Sequence, residues 1–327
     1  MNSATLALLL LLAADSGQTY SWNLPKGFPK PHVPSDNPMT ESKVELGRHL
    51  FYDTRLSING KSSCATCHRQ ELAFTDGLPV SAGATGERHP RGAMSLVNVA
   101  YSAVLTWSDP NLHALEDQAL IPMFGDRPIE LGLRPGDGFP LNLRADPQYQ
   151  TLFARAFPDD TDRFTTSNVT KALASFERSI ISARSPYDRY RYGGDDSAVS
   201  QSAKHGEMLF FNQHLSCFRC HGGFNFSDGE FHNTGLSVAD SRKFKTPTLR
   251  NIAITAPYMH DGGIGTLEGV LDHYAQGGSK NPNKDPLIHG FSLTERDRAD
   301  LIEFLKTLTD DAVLHDPRFG NPWPSGH

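Results

Sequence analysis

The sequence of 327 residues contains no apolar run longer than nine residues, no cluster of five basic residues and only four cysteines. A bilayer-spanning helix needs about 20 apolar residues, so the run Leu6–Ala14 is too short to be one. Its length suits the apolar region of a secretory signal, and Ala13–Ala14 before Asp15 supply a small-residue exit. The segment ahead of it is weak for a leader, since Met1–Thr5 holds no Lys or Arg. Residues 1–14 are read as a signal peptide, and export to the periplasm is expected. No cysteine follows the run to carry a lipid anchor. The 31 basic residues are outnumbered by 37 acidic ones, a net charge of −6, which speaks against nucleic-acid binding by phosphate neutralisation. The 28 glycines and 22 prolines, about 15% of the chain, stay well short of the roughly 25–30% of low-complexity sequence. A real core is therefore expected, with length enough for about two domains.

What is present is concentrated in those four cysteines. All fall in two pairs, Cys64-Ala-Thr-Cys67-His68 and Cys217-Phe-Arg-Cys220-His221. Cys-x-x-Cys-His is the haem c attachment signature. Two thiols about one helical turn apart add to the two vinyl groups of one porphyrin, and the adjacent His lies under the iron. A thioredoxin-like pair would not require the following His. A zinc ribbon keeps its knuckles about 15–20 residues apart, whereas 149 residues lie between Cys67 and Cys217. Disulfides remain open to an exported chain, but no cysteine is left over to need one. Two covalent haem c groups are expected. Haem attachment follows export, so the two signals agree. The 14 histidines invite a search for further iron ligands.

Pro25, Pro29, Pro31, Pro34 and Pro38 mark residues 15–40 as an extended arm. Val44, Leu46, Leu50 and Phe51 predict a helix over 41–53. Loops punctuated by Gly and Pro are expected at 75–92 and 125–140, with a short helix at 114–120 between them. Val169, Leu173, Phe176 and Ile180 predict a helix over 167–184. A polar stretch through Gly193-Gly-Asp-Asp196 suggests a boundary, giving domains 15–194 and 195–327. In the second, a helix over 201–212 with Met208, Leu209 and Phe211 precedes the second motif. A last helix runs from an N-cap at Thr294 to Thr307, burying Leu301, Ile302, Leu305 and Leu308. Leu50-Phe51 leading to Cys64 and Leu209-Phe210 leading to Cys217 form an internal repeat of a cytochrome c unit. The fold class is mostly α: two cytochrome c-like domains with long loops, each holding one covalent haem c.

Longer stretches resemble the bacterial dihaem cytochrome c peroxidase and MauG family. They are Leu46–Ser57, Leu96–Ala100 with Trp107, Leu115–Ala119, Pro128–Gly132, Phe244–Asn251, Ala256–Gly262 and Thr266–Glu268 through Tyr274. Glu87–Asn98 and Gln118–Gly125 look most like the MbnH branch. That branch is associated with methanobactin and related operons, and its members use hydrogen peroxide to oxidise a tryptophan of a partner, MbnP, to kynurenine.

The resemblance implies roles. His68 would be the proximal ligand of the haem that meets peroxide, with Glu130 as the catalytic carboxylate and Gln118 beside it. A solvated carboxylate and a surface amide are the plain alternatives for these two. Trp107 would relay charge between the irons; a packing tryptophan is its alternative. Trp22 and Trp323, in proline-rich termini, have no such claim. His221 would be the proximal ligand of the second haem and Tyr274 its sixth ligand, where the peroxidases have methionine. Methionine raises the haem potential and suits accepting electrons from a small cytochrome. An anionic phenolate suits storing oxidising equivalents, here a high-valent, bis-Fe(IV)-like state. The backbone carbonyls of Thr255 and Pro257 match the family's calcium site, where Gly92 replaces an asparagine.

Other candidates carry less. His273 is expected to point away if Tyr274 binds iron, and Met259 to serve packing. His89 is set aside as a ligand because peroxide needs that face open. His260 is expected beside the haem pocket, and His205, His214, His232 and His289 in surface or structural places. The expected function is a peroxide-dependent dihaem oxidoreductase acting on a tryptophan of an exported, MbnP-like partner. The alternatives are a cytochrome c peroxidase fed by small cytochromes and a purely electron-transferring dihaem cytochrome.

Overall fold

The structure is a computed structural model that describes residues 18–134 and 141–323. The Leu6–Ala14 run lies outside them. Eleven α-helices are found among the described residues: α1 (Glu41–Tyr52), α2 (Cys64–Cys67), α3 (Leu115–Gln118), α4 (Leu120–Phe124), α5 (Pro147–Ala156), α6 (Thr166–Ser179), α7 (Pro186–Arg191), α8 (Gln201–Phe210), α9 (Leu267–Ala275), α10 (Glu295–Lys306) and α11 (Asp311–His315). The only sheet among them is one antiparallel pair, β1 (Phe231–His232) with β2 (Phe244–Lys245), in register Phe231 to Lys245. The chain is mostly helical with little sheet, and no helix among the described residues is long and apolar enough to cross a membrane.

Most of the longer helices start where a hydroxyl caps them, and α5 where the Asp146 carboxylate does. The Thr40 side chain accepts from the Lys43 N–H, Thr165 from Asn168 and Ser200 from Ala203. Thr294 and Asp297 form a reciprocal capping box at α10, as the sequence predicts for Thr294. The apolar faces then pair these helices. Leu46, Leu50 and Phe51 of α1 and Val169, Leu173 and Phe176 of α6 are all at most 1% exposed.

The internal repeat has a geometric core. A Cβ on Gly47 of α1 would sit 1.9 Å from the Ala172 carbonyl oxygen of α6, and one on Gly206 of α8 would sit 2.0 Å from that of Asp300 on α10. Each glycine lets two helix backbones touch. Four residues on, Phe51 meets Phe176 at 5.1 Å between ring centroids, and Phe210 meets Phe304 at 5.2 Å. The two helix pairs are the same construction used twice.

Two expectations are corrected. The helix predicted over 167–184 ends at Ser179, because the chain then turns to bond another part of the molecule: Ser182 N–H donates to Asn98, and the Ala183 and Arg184 N–H groups to the Asp310 carboxylate, each at 2.8–2.9 Å. In α8 the inward residues are Ala203, Gly206 and Phe210; Met208 is 65% exposed and Phe211 38%. Helices α5, α7, α9 and α11 lie where none was predicted.

There are two principal cores. One gathers α1, α5 and α6 with Val313, Leu314, Phe319 and Trp323 from the C-terminal stretch. The other gathers α8, α9 and α10 with Tyr187 of α7. The proline-rich arm has no helix, yet Phe28 is buried against Tyr192 and Phe224 under the Arg250 guanidinium. Between the halves runs a buried polar seam. Asn98 donates to Asn225, Ser182 donates to Asn251, and Asn251 donates to the Asp310 carbonyl. The Arg250–Asp188 ion pair, fully buried, is bonded at both nitrogens.

Candidate redox centres

Each Cys-x-x-Cys-His motif sits in a short helical turn following its half's first long helix. In the first, Ser63 N–H donates to Thr66 Oγ1 at 3.0 Å and starts α2 at Cys64. His68 then directs Nδ1 to the carbonyl of Phe74, 2.9 Å away; in the second motif His221 directs Nδ1 to the carbonyl of Phe226 at 3.1 Å. Both phenylalanines have left-handed backbones, φ 59° and 51°, and both are buried. A carbonyl fixing Nδ1–H leaves Nε2 as the lone pair, which sets the ring's tautomer and orientation for binding a metal. Burial holds both rings below the ordinary imidazole range, favouring the neutral, ligating form. All four cysteines are unbridged.

The second motif opens onto a mainly apolar cavity with about 1440 Å³ of space free of protein atoms, its mouth included. Cys217, Cys220, His221, Tyr274, Met259 and Trp107 are among its walls. Tyr274 comes from α9, capped by Thr266. Its phenol makes no hydrogen bond to any described residue, and burial pushes its pKa up, so a phenolate there would need a cation beside it. The neighbouring His273 is turned to the Thr234 carbonyl at 3.0 Å. An apolar slot with two thiols, an oriented imidazole and an unpartnered phenol fits a haem.

Around the first motif the structure brings together Glu130, His89 and the Gln118 segment. The charge of Glu130 reaches both Cys64 and Cys67. Its carboxyl is pushed up to about 7 by burial, with His89 Nε2 3.6 Å from Oε1. Gln118 ends α3, which runs on into α4. There Pro122 and Met123 carbonyls accept from Leu131 and Leu133, tying that segment to the Glu130 loop.

Trp107 stands between the two regions. It lines the second cavity and also a smaller one walled by Asp76, Gly92, Met94, Thr255 and Pro257. The Thr255 and Pro257 carbonyls accept no hydrogen bond from the described residues, so two oxygens there remain free for a cation, while Gly92 offers no side chain. The β2 residue Lys245, absent from the sequence candidates, donates its N–H to the Trp107 carbonyl at 2.8 Å and its buried Nζ to Val104.

Three of the other histidine candidates have local partners. His260 stacks on Phe244 at 3.6 Å on the cavity wall, and His205 bonds Asp300. His232 is held between Asp228 and Asp285 at 2.9 and 2.7 Å. Cys220, Asp228 and His232 are the one group of such side chains among the described residues close enough to hold an ion. That cysteine belongs to the second Cys-x-x-Cys-His motif, where a haem thioether is expected, so the group is not read as a separate metal site. Trp22 lines a shallow groove by the arm, and Trp323 is buried, its indole N–H on the His49 carbonyl. The Phe74 and Phe226 carbonyls and the contact of His89 with Glu130 carry no sequence signature.

The di-haem cytochrome c peroxidase family profile matches residues 41–197. The methylamine utilization protein MauG of Methylorubrum extorquens is 39% identical over 293 residues, covering 85% of this chain and 81% of that protein. Cytochrome-c peroxidase IdrP1 of Denitromonas iodatirespirans is 32% identical over 342 residues, covering 88% and 87%. A crystal structure of a MauG-like protein associated with microbial copper homeostasis superposes with a TM-score of 0.90 at 40% identity, covering 93% of this chain and all of that one. Similarity at this level over most of both chains makes this protein a member of the dihaem cytochrome c peroxidase and MauG family of peroxide-dependent oxidoreductases.

Proposed function

We propose that this enzyme uses hydrogen peroxide to oxidise a tryptophan on an exported, MbnP-like partner protein in the periplasm, as the MbnH branch does. The observation that carries this reading is Tyr274. Its phenol faces the cavity of Cys217, Cys220 and His221 with no partner among the described residues, while His273 is turned away. A phenolate ligand disfavours the electron-accepting role that methionine supports. The copper-homeostasis association of the solved relative is consistent with this branch.

Bound haem supplies peroxide cleavage and storage of the resulting oxidising equivalents. The rest falls to the chain. Cys64 and Cys67, and Cys217 and Cys220, tether the two macrocycles in a domain each. His68 and His221, held by Phe74 and Phe226, orient on iron. Glu130, half-buried, moves a proton between the two peroxide oxygens, which needs a carboxyl poised near neutral pH. Gln118 orients the peroxide beside it. Trp107 carries charge between the two regions it borders. The free carbonyls of Thr255 and Pro257 would take one calcium ion, with water completing the shell.

The test incubates the holoprotein with hydrogen peroxide and the small exported protein encoded beside it. The expected result is oxygen added to one tryptophan of that protein by mass spectrometry. Steady turnover with a reduced small cytochrome, and an unmodified partner, would replace this reading with that of a cytochrome c peroxidase.

A further inference from the structure

The mechanism so far leaves His89 without a task, although the chain builds a hairpin to place it. Ala82 and Arg88 bridge, Gly83 N–H donates to the Glu87 carbonyl, and His89 N–H donates to Ser81. Three contacts dock this hairpin onto the Glu130 segment. Ala84 N–H donates to the Glu130 carbonyl at 2.6 Å, and Ile129 N–H donates to the Glu87 carboxylate at 3.1 Å. At Gly83 a Cβ would lie 1.8 Å from the Ile129 carbonyl oxygen, so the two backbones touch. The product of this docking is the His89 ring facing the Glu130 carboxyl, Nε2 to Oε1 3.6 Å. Both side chains are partly open to solvent, 19% and 29% exposed. Neither ring nitrogen of His89 has a hydrogen-bond partner among the described residues.

The geometry points to His89 as the proton-exchange partner of Glu130, connecting its carboxyl to solvent. This rests on Glu130 acting on peroxide as proposed above. The proton balance says when such a partner is needed. Cleaving peroxide moves a proton from one oxygen to the other and consumes none, so Glu130 suffices. Returning the site to rest takes two electrons, given up by the partner's tryptophan as it is oxidised, and two protons as the second oxygen leaves as water. Those protons come from solvent and must reach a carboxyl only partly open to it. His89 takes one from water and passes it through Nε2 to Glu130, which delivers it; the cycle runs twice. The 3.6 Å gap is longer than a hydrogen bond, and one water or the tightening that accompanies substrate binding closes it.

The charged groups acting on His89 are Asp76 and Glu87, which favour its protonation, and the carboxyl of Glu130; its own charge is felt at buried His68. Burial outweighs the acids and lowers the ring's hold on a proton, while it raises the Glu130 carboxyl to about 7, where it gains and loses its proton readily near neutral pH.

The test compares wild type, His89→Gln and Glu130→Gln as dihaem holoproteins. Stopped-flow absorbance reads formation of the peroxide product, then its return to rest with an added electron donor. His89→Gln is expected to form the product within about twofold of the wild-type rate. It should return about a hundredfold more slowly, the scale of a lost acid–base group, and external imidazole should restore the rate. Infrared titration of the Glu130 carboxylic C=O band, which needs no turnover, should show a changed midpoint in His89→Gln. A wild-type return rate and midpoint in that variant overturns the His89 assignment. Normal product formation in Glu130→Gln overturns instead the reading on which it rests.

Discussion

The indole N–H of Trp107 donates to the carbonyl of Gly92 across 2.9 Å, while its own carbonyl receives the N–H of Lys245 at 2.8 Å. The residue is thus held at its ring and at its backbone between the cavity of the second motif and the Gly92–Thr255 cavity. Trp107→Phe keeps most of the bulk but loses the donor and the readily oxidised ring. The optical response of the second haem to peroxide should slow at least tenfold, read by stopped-flow absorbance, with the first haem's response preserved. Equal responses at both would leave Trp107 a packing residue.

Tyr274→Met exchanges an anionic oxygen for a neutral thioether. The second haem's midpoint potential should rise by a sizeable part of the about 0.8 V that axial ligands span. Spectroelectrochemistry of the variant measures it, and an unmoved potential removes Tyr274 from the iron.

The helix contact at Gly206 leaves no room for a methyl, whose carbon would lie 2.0 Å from the Asp300 oxygen. Gly206→Ala should cost ~3 kcal/mol, the upper end for overpacking a tight site. Gly265→Ala, where an added Cβ meets nothing within 4 Å, should change stability by less than about 0.5 kcal/mol, the usual range at a featureless surface. Denaturant unfolding of the two holoproteins, with haem absorbance as the probe, gives the comparison.

Glu177 of α6 is 6% exposed, and its Oε2 meets no hydrogen-bond partner. Burial pushes its carboxyl up to about 8. The folded chain therefore keeps a proton that the unfolded chain loses. The stability this group contributes is whole below the ordinary carboxylate range and drains away as pH rises towards 8, by at most about 1.4 kcal/mol per unit. Glu177→Gln should flatten that slope between pH 5 and 8. Unfolding midpoints measured across this range test it. Glu130 tilts the curve the same way in both proteins, so only the difference counts.

The features most legible in the sequence were those fixed by local chemistry. The two haem motifs, the Thr294 cap and the apolar faces of α1, α6 and α10 all follow from residue type and spacing. The repeat of Leu50-Phe51 at Leu209-Phe210 located the helix that leads into each motif. Its true pivot, Gly47 and Gly206, has no sequence signal, because a glycine in a helix signals nothing until its partner backbone is known. Helix α9, which carries Tyr274, is nine residues long and follows a glycine-rich stretch, so periodicity had little to work on. The end of α6 is not legible, because Asp310, more than a hundred residues away, takes the N–H groups that would have continued it. The contact of His89 with Glu130 depends on two loops meeting, which no spacing encodes.

The seam of Asn98, Ser182, Asn251 and Asp310 has a kinetic meaning. Rocking one half against the other would break several buried amide and carboxylate bonds together, at about 1–3 kcal/mol for each group left unpaired. Electron tunnelling fades steeply with distance, so a gap that breathed would make every transfer rate a blur. Stitching the halves with side chains that have no slack sets the transit time by construction rather than by chance motion.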